Sequence, residues 1–467
     1  MLPLPESLLP QPFPWVRAPS LPSWIQDRMQ QHYVERMGKL WGGDHLLHGR
    51  TPGPDALHLA SNDYLCLLGE PDLVQAQARS LLAGEQELLM SAVFQHGDTP
   101  QRQVERRLAS LMHAEDGLIA QSGWAANVGL VQCIAGPGVP VYVDMNAHAS
   151  LWEGISAAGA QAVPFRHNDY VHARRQMERL GPGVILVDSV YSTTGSVAPL
   201  LEFVEAAEST GSVIVVDESH SLGTHGPSGG GLVAELGLSS RVHFRTASLA
   251  KAFAGRAGFV ACSTEFKDFF AVEARPAIFS SGLLRHEIAW FDAAIDFIAA
   301  ANARRARLHA VTRQARSAIA GLGYNISDGT EQIIGLEAGS EPQVKILRDA
   351  LQARGVFGAV FCSPATPKNR ALMRLTLHAK LNDSDIDRLV QVLEEIRSEV
   401  RLEEWSSTRR ANRSAASSER RPEIPPQGAN DLCRKIHLVT GAMVNPSAIS
   451  RNGSGRQSSR LQLAPLC

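Results

Sequence analysis

Two short runs decide the fold: GVILVD at 183–188 and SVIVVD at 212–217. Both are unbroken Val/Ile/Leu stretches closed by an aspartate, without the alternation of a half-exposed strand. Such runs suit strands covered on both faces, as in a parallel sheet packed between helices. Further runs stand at 117–121 (GLIAQ), 140–144 (PVYVD) and 256–262 (RAGFVAC), with helical stretches between at 100–113, 149–158, 169–180 and 199–210. Strand and helix in alternation predict an α/β domain with a mostly parallel sheet over 55–282. Ligands gather at the carboxyl ends of such strands, so Asp188 and Asp217 are expected at the binding edge.

Outward from this core, residues 283–321 read as one Ala-rich helix or a broken pair. It bridges to a small α+β domain ending near 400, with apolar runs at 332–337, 356–361 and 371–377 and helices at 341–354 and 383–400. Residues 1–54 form an N-terminal arm and helix. Its helix, 22–41, repeats Trp24, Met29, Tyr33, Met37 and Trp41 at helical spacing and is expected to dock by that face. Residues 401–467 hold eleven basic and five acidic side chains, little periodicity and few apolar residues, and are expected to be a disordered basic tail. That tail carries +6 of a total of −2, leaving −8 on the first 400 residues.

Composition bounds the function. A length of 467 residues corresponds to roughly three domains. With 45 basic and 47 acidic residues the chain lacks the excess of a nucleic-acid-binding surface. No apolar run reaches the length of a spanning helix, and the proline-broken start MLPLPESLLPQPFPW makes a poor secretory signal. No membrane or nucleic-acid partner is therefore expected. The six cysteines show no C-x-x-C spacing and read as thiols of a reducing cytoplasm. No internal repeat is present.

Four stretches carry candidate chemistry. In FRTASLAKAFAGRAG, 244–258, Lys251 follows an apolar strand among small residues. These admit a flat cofactor, and partial burial lowers an amine's pKa toward Schiff-base chemistry. The alternative is a surface charge. In VVDESHSLG, 215–223, Asp217 could hold a pyridinium protonated and His220 could bond a phenolic oxygen on the same ring. The alternatives are a capping aspartate or a metal pair, though no third ligand stands at suitable spacing, and no metal is expected. In QSGWAANVGL, 121–130, a helix opens after Ser122, so that Ser122, Gly123 and Trp124 could cradle a phosphate. The alternative for Ser122 is a plain N-cap. In NAHASLWEG, 146–154, His148 could stack on a flat ring or be structural. The G-x-S-x-G match GPSGG at 226–230 lies eleven residues past its strand, too far for a hydrolase elbow. Neither a Walker A sequence nor a full G-x-G-x-x-G fingerprint occurs.

In this order the four stretches, together with SNDYLCL from Ser61, resemble the α-oxoamine synthase family of pyridoxal-phosphate enzymes, which has the aspartate-aminotransferase-like type I fold. The resemblance runs from about 61 to 400. VDSVYST, DESHSLGTHGPSGGGL, PAIFSSGLL and GVFGAVFC are similar to the branch that makes long-chain α-aminoketone quorum-sensing autoinducers or their precursors. The resemblance implies that Lys251 binds the cofactor and moves protons, Asp217 pairs with the pyridine nitrogen, and His148 stacks on the ring. It implies that His220 and Ser192 flank the phenolic oxygen, and that Ser122, Gly123, Trp124 and Ser248 serve the phosphate. Ser280 and Ser281 would come from the neighbouring subunit of a homodimer with shared sites. Ser363 stands where the family usually has a carboxylate-gripping arginine, which leaves Arg374 as the substrate-binding candidate. The implied reaction joins an amino acid (S-adenosylmethionine or 2-aminobutyrate-like) to a medium-chain acyl-CoA with decarboxylation. Alternatives are the synthases of 8-amino-7-oxononanoate, 2-amino-3-ketobutyrate, 5-aminolevulinate or sphingoid bases. In another class stands a non-catalytic pyridoxal-phosphate-sensing regulator, although nothing in 1–54 reads as a DNA-binding module.

Overall fold

A computed structural model of the chain describes residues 18–84, 90–94 and 97–419. Residues up to Arg413 form one compact unit. At its centre is a seven-stranded sheet built from β1 (Asp116–Ala120), β2 (Pro140–Asp144), β3 (Gln161–Phe165), β4 (Val184–Asp188), β5 (Val213–Asp217), β6 (Phe244–Ser248) and β7 (Gly258–Cys262). The spatial order is β1-β7-β6-β5-β4-β2-β3. From β6 to β3 all neighbours are parallel, and β7 runs antiparallel to both β6 and β1.

The continuous apolar runs are explained by what covers them. Tyr142, Ile185, Val187, Ile214 and Val216 enter one hydrophobic core, and Val141, Val143, Val184, Leu186 and Val215 enter the core on the opposite face. Successive side chains of one strand point to opposite faces, so each run must be apolar throughout to fill both cores. The strand missing from the sequence reading is β3, QAVPF. It sits at the sheet edge with only Val163 and Phe165 buried, and it contains Pro164, which edge strands tolerate.

The long Ala-rich segment is a broken pair, Arg285–Ala300 and Asn302–Gly321. The small sheet is antiparallel and consists of β8 (Ile333–Gly339), β9 (Ala359–Phe361) and β10 (Ala371–Thr376), in the order β9-β10-β8. A two-residue strand Leu57–His58 pairs parallel with Val356–Phe357, tying the N-terminal region to this lobe. One hydrophobic core runs from Trp41, Leu59 and Tyr64 through Phe253 and Phe291 to Leu389 and Trp405.

Two expectations need correction. The basic tail does not begin at 401. Leu402 and Trp405 are buried, the Trp405 indole donates to the Val400 carbonyl, and Trp405 leads into a helix over Ser406–Glu419. The Ser407 hydroxyl donates to the Glu337 carbonyl, and Arg410 pairs with the Glu337 carboxylate. A few anchoring side chains hold this stretch, and polar composition did not reveal them. Residues 420–467 lie outside the described residues. The second correction concerns the N-terminal helix. It divides into α-helical Ser23–Gln31 and π-helical His32–Leu40. The wider i→i+5 winding shifts the phase, so Trp41 is buried and Met37 half-buried, while Trp24, Met29 and Tyr33 are exposed in this chain. Among the described residues no helix is long and apolar enough to cross a membrane.

Candidate active site

The carboxyl ends of β4, β5 and β6 and the starts of two helices, α1 (Gly123–Ile134) and α2 (Ala149–Ala158), enclose a cavity. Gly123, Trp124, Asn127, His148, Asp188, Asp217, Ser219, His220, Ser248 and Lys251 line it. All ten lie in the stretches quoted above or at the expected binding edge, and eight of them were named there as candidates, so sheet topology unites residues up to 128 positions apart in the chain.

Asp217 ends β5. Its Oδ1 accepts from the backbone N–H of Ser219 at 2.8 Å and its Oδ2 from Asn127 Nδ2 at 2.7 Å. The Ser219 hydroxyl accepts from the Ser248 backbone N–H at 2.7 Å, which latches the end of β6 to the turn after β5. Lys251 follows β6 by three residues and is half-buried. Burial lowers its pKa and the Arg374 charge lowers it further, against the opposing pull of Asp217. Its neutral amine is thus more available than a surface lysine's.

His148 caps α2. Its Nδ1 lies 2.8 Å from Ser150 Oγ, and its backbone N–H donates to Asp188 at 3.2 Å. One side of the residue stays open, yet the protein packed around the rest of the ring lowers its pKa by desolvation. The Trp124 ring stands edge-on to it, with 6.3 Å between centroids. His220 is buried, and burial followed by the charges of Lys251 and Arg374 holds its pKa well below the ordinary value. Its Nδ1 lies 2.6 Å from the Tyr64 hydroxyl, and Gln332 donates to its carbonyl. Arg374 Nη2 donates to Tyr64 Oη at 3.3 Å and to Asn62 Oδ1 at 2.9 Å, so Arg374 reaches His220 through one phenol. Arg374 is buried, and its Nε has no hydrogen-bond partner among the described residues. Burial, together with the neighbouring Asp217, pushes Asp188 well above the usual carboxylate range.

The start of α1 holds the residues expected to cradle a phosphate. Ser122 Oγ accepts from the Ala125 N–H, so this serine is an N-cap as well as part of the turn. A Cβ on Gly123 would lie 2.6 Å from Ser248 Cβ, which explains glycine at the point where the helix start meets the end of β6. Ser192 is half-buried, and among the described residues no hydrogen bond joins it to His220. Ser280 and Ser281 do not line this cavity; Ser280 bonds the Pro276 carbonyl, and the Ser281 carbonyl accepts from Gln121 Nε2 at 3.0 Å. Ser363 is exposed, and its carbonyl receives the Arg36 guanidinium. Among the described residues three ligand-type side chains, His225, His309 and Glu331, converge outside the cavity. There His225 Nε2 bonds Glu331 at 3.0 Å and His309 bonds the Thr224 carbonyl.

The sequence reading missed Asn127, Ser150, Tyr64 and Ser219. Asn127 and Ser150 stand inside two of the quoted motifs, where a polar residue in an apolar helix start was the available signal. Ser219 and Tyr64 also lie in quoted stretches, VVDESHSLG and SNDYLCL, but the pairing of Tyr64 with His220, 156 residues away, has no local signal.

The family model for class I and II aminotransferases matches residues 54–393. The chain is 42% identical over 383 residues to the CAI-1 autoinducer synthase of Vibrio campbellii, covering 82% of this chain and 97% of that one. It is 32% identical to the 8-amino-7-oxononanoate synthase of Gluconacetobacter diazotrophicus, covering 79% and 95%. In fold it resembles a solved structure of SPT with PLP (TM-score 0.75, 23% identity, 81% of this chain and 99% of that one).

Proposed function

The chain belongs to the class I and II aminotransferase family of type I fold, and from that premise we propose that it is a pyridoxal-phosphate-dependent acyltransferase of the α-oxoamine synthase group. In this reading it condenses S-adenosylmethionine or a 2-aminobutyrate-like acid with a medium-chain acyl-CoA. Decarboxylation follows, and the product is a long-chain α-aminoketone that serves as, or leads to, an autoinducer. The observation that carries the choice within the group is the 42% identity, across nearly the whole length, to a CAI-1 autoinducer synthase.

The residues present fit the cofactor. A helix start stripped of Cβ at Gly123 suits a phosphate. A carboxylate held by two N–H donors suits a ring nitrogen, and an amine depressed by burial suits covalent attachment. When bound, pyridoxal phosphate supplies an electron-withdrawing ring that accepts the charge left at Cα.

The chain's own groups would divide the remaining work. Ser122, Gly123, Trp124 and Ser248 hold the phosphate. Asp217 keeps the ring nitrogen's partner charge in place, because Asn127 and Ser219 leave its carboxylate no freedom to turn. His148 would stack on the cofactor ring. His220, neutral through burial, offers Nε2 toward the phenolic oxygen while Tyr64 occupies Nδ1. Ser192 would assist at that oxygen. Lys251, whose pKa already lies below that of a free lysine, would hold the cofactor and act as the base toward the Cα proton. Arg374, buried with an unpartnered Nε, is the group for the substrate carboxylate. Ser280 and Ser281 serve the other subunit's site in a homodimer.

Purified protein should carry the bound pyridoxal chromophore, and Lys251→Ala should lose both it and condensation. Incubation with several amino acids and acyl-CoA lengths, read by mass spectrometry, should give long-chain aminoketones. An oxononanoate or sphingoid product, or full activity in Lys251→Ala, would sink the reading.

A further inference from the structure

The polar groups on the inner wall of the cavity form one hydrogen-bonded chain, and the charge at one end sets the direction of every proton in it. Asp217, ionised in the role proposed above, can only accept. Asn127 must therefore turn Nδ2 toward Asp217 Oδ2, at 2.7 Å, and the Thr246 hydroxyl donates to Asn127 Oδ1 at 2.6 Å in the same orientation. The second N–H of Nδ2 meets Ser150 Oγ at 2.8 Å, so this oxygen accepts. The hydroxyl proton of Ser150 is then directed to His148 Nδ1, also at 2.8 Å. The Ser150 backbone N–H points to the same nitrogen at 3.3 Å. Met by two donors, Nδ1 keeps its lone pair, and the ring proton belongs on Nε2. Asn127, Ser150 and Thr246 are all buried, at 2% exposure or less, so the links among them are shielded from bulk water, and only the His148 end of the chain is exposed.

We propose that Asn127 and Ser150 are positioning residues that carry the orientation of the Asp217 carboxylate to His148 and fix its imidazole as the neutral Nε2–H tautomer. The residue that would pair with the ring nitrogen and the one that would stack on the ring, treated separately in a motif reading, then act as one unit. A neutral ring also adds no third positive charge beside Lys251 and Arg374, and the hydrogen on Nε2 leaves the ring unable to accept a proton there. The inference rests on the cofactor-binding reading of Asp217 and His148.

The test is long-range proton–nitrogen NMR on full-length protein labelled with ¹⁵N-histidine, with and without pyridoxal phosphate, using His148→Gln to assign the signal. Wild type should show one tautomer, Nε2–H. Ser150→Ala leaves only the longer backbone N–H contact at 3.3 Å on Nδ1, so it and Asn127→Leu should each turn the single form into a mixture of tautomers, and Ser150→Thr, which keeps the hydroxyl, should restore the single form. A wild-type signal from Nδ1–H, or an unchanged tautomer in Ser150→Ala, overturns the proposal. If Asn127→Leu does not fold, the Ser150 pair still decides. Because the readout needs no turnover, failure here leaves the condensation assay intact, and failure of that assay leaves the tautomer measurement standing.

Discussion

Gly258→Ala is the sharpest perturbation of the proposed phosphate cradle. Gly258 opens β7 between two partners, Ala120 of β1 and Ser248 of β6. A Cβ there would lie 2.2 Å from the Ser122 carbonyl oxygen, 2.4 Å from its carbon and 2.7 Å from the Gly123 nitrogen. Carbon and carbonyl oxygen rest no closer than roughly 3.3 Å, so about 1 Å of retreat is required. The strand is hydrogen-bonded on both edges, and the turn at 122–123 must yield instead. Overpacking of this kind costs about 1–3 kcal/mol in stability. The larger consequence is that the N–H groups of Gly123 and Trp124 leave their positions, and a misplacement of ~1 Å in a site can cost on the order of 100-fold. Spectrophotometric titration of cofactor-free protein should give a pyridoxal-phosphate Kd raised about 10- to 100-fold. Gly117→Ala is the control. Its Cβ would meet Phe259 Cζ at 2.3 Å and the Val260 carbonyl at 2.7 Å in the same sheet, away from the cradle. It should lower the melting temperature and spare cofactor affinity. A folded Gly258→Ala protein with unchanged affinity, or equal losses in both variants, would refute the reasoning.

Three further outcomes follow from the same geometry. Trp405→Ala should lose about 3–5 kcal/mol in denaturant unfolding, as expected for a fully buried tryptophan; ending the chain after Arg413 should leave the melting temperature unchanged, whereas ending it after Val400 should not, and equal stability of the two truncations would contradict the packing described. His220 has a folded pKa held well below 6.5, so the unfolded chain takes up a proton that the native state refuses; its share of stability is intact above about pH 6.5 and declines as pH falls, by at most about 1.4 kcal/mol per unit. Urea titrations at pH 7, 6 and 5 should therefore fall less steeply for His220→Asn than for wild type, and parallel slopes would count against a neutral buried imidazole. Arg374→Lys keeps the charge but gives up the planar guanidinium whose Nη2 bonds both Asn62 and Tyr64 and whose Nε, unpartnered among the described residues, is open to a carboxylate, and should raise KM for the amino acid at least tenfold while leaving that for acyl-CoA within twofold; an unaltered amino-acid KM would remove Arg374 from carboxylate recognition.

Most of the secondary structure of the large lobe was legible because its signals are local. A strand buried on both faces must be apolar at every position, so 140–144, 183–188 and 212–217 announced themselves within a residue of where the strands lie. Asp217, Lys251 and His148 were legible as candidates for a related reason. Each follows a strand or opens a helix, and parallel topology brings all such ends to one edge. The edge strand Gln161–Phe165 was not legible, since half of it faces away from the core and a proline interrupts it. Nor was the anchoring of 401–413, which depends on Trp405, Ser407 and Arg410 finding Tyr324 and Glu337 across the chain.

Residue order alone therefore carried the periodicities, the chemical types at strand ends and their register along the chain. What remained for three dimensions was partnership. That Tyr64 would occupy His220 Nδ1, that Arg374 would reach the same phenol, and that Asn127 would join Asp217 to Ser150 depend on contacts between segments 23 to 310 residues apart. Hydrogen-bond direction and desolvation are properties of such contacts. They arise only when a buried donor meets its acceptor, so no reading of a single segment contains them.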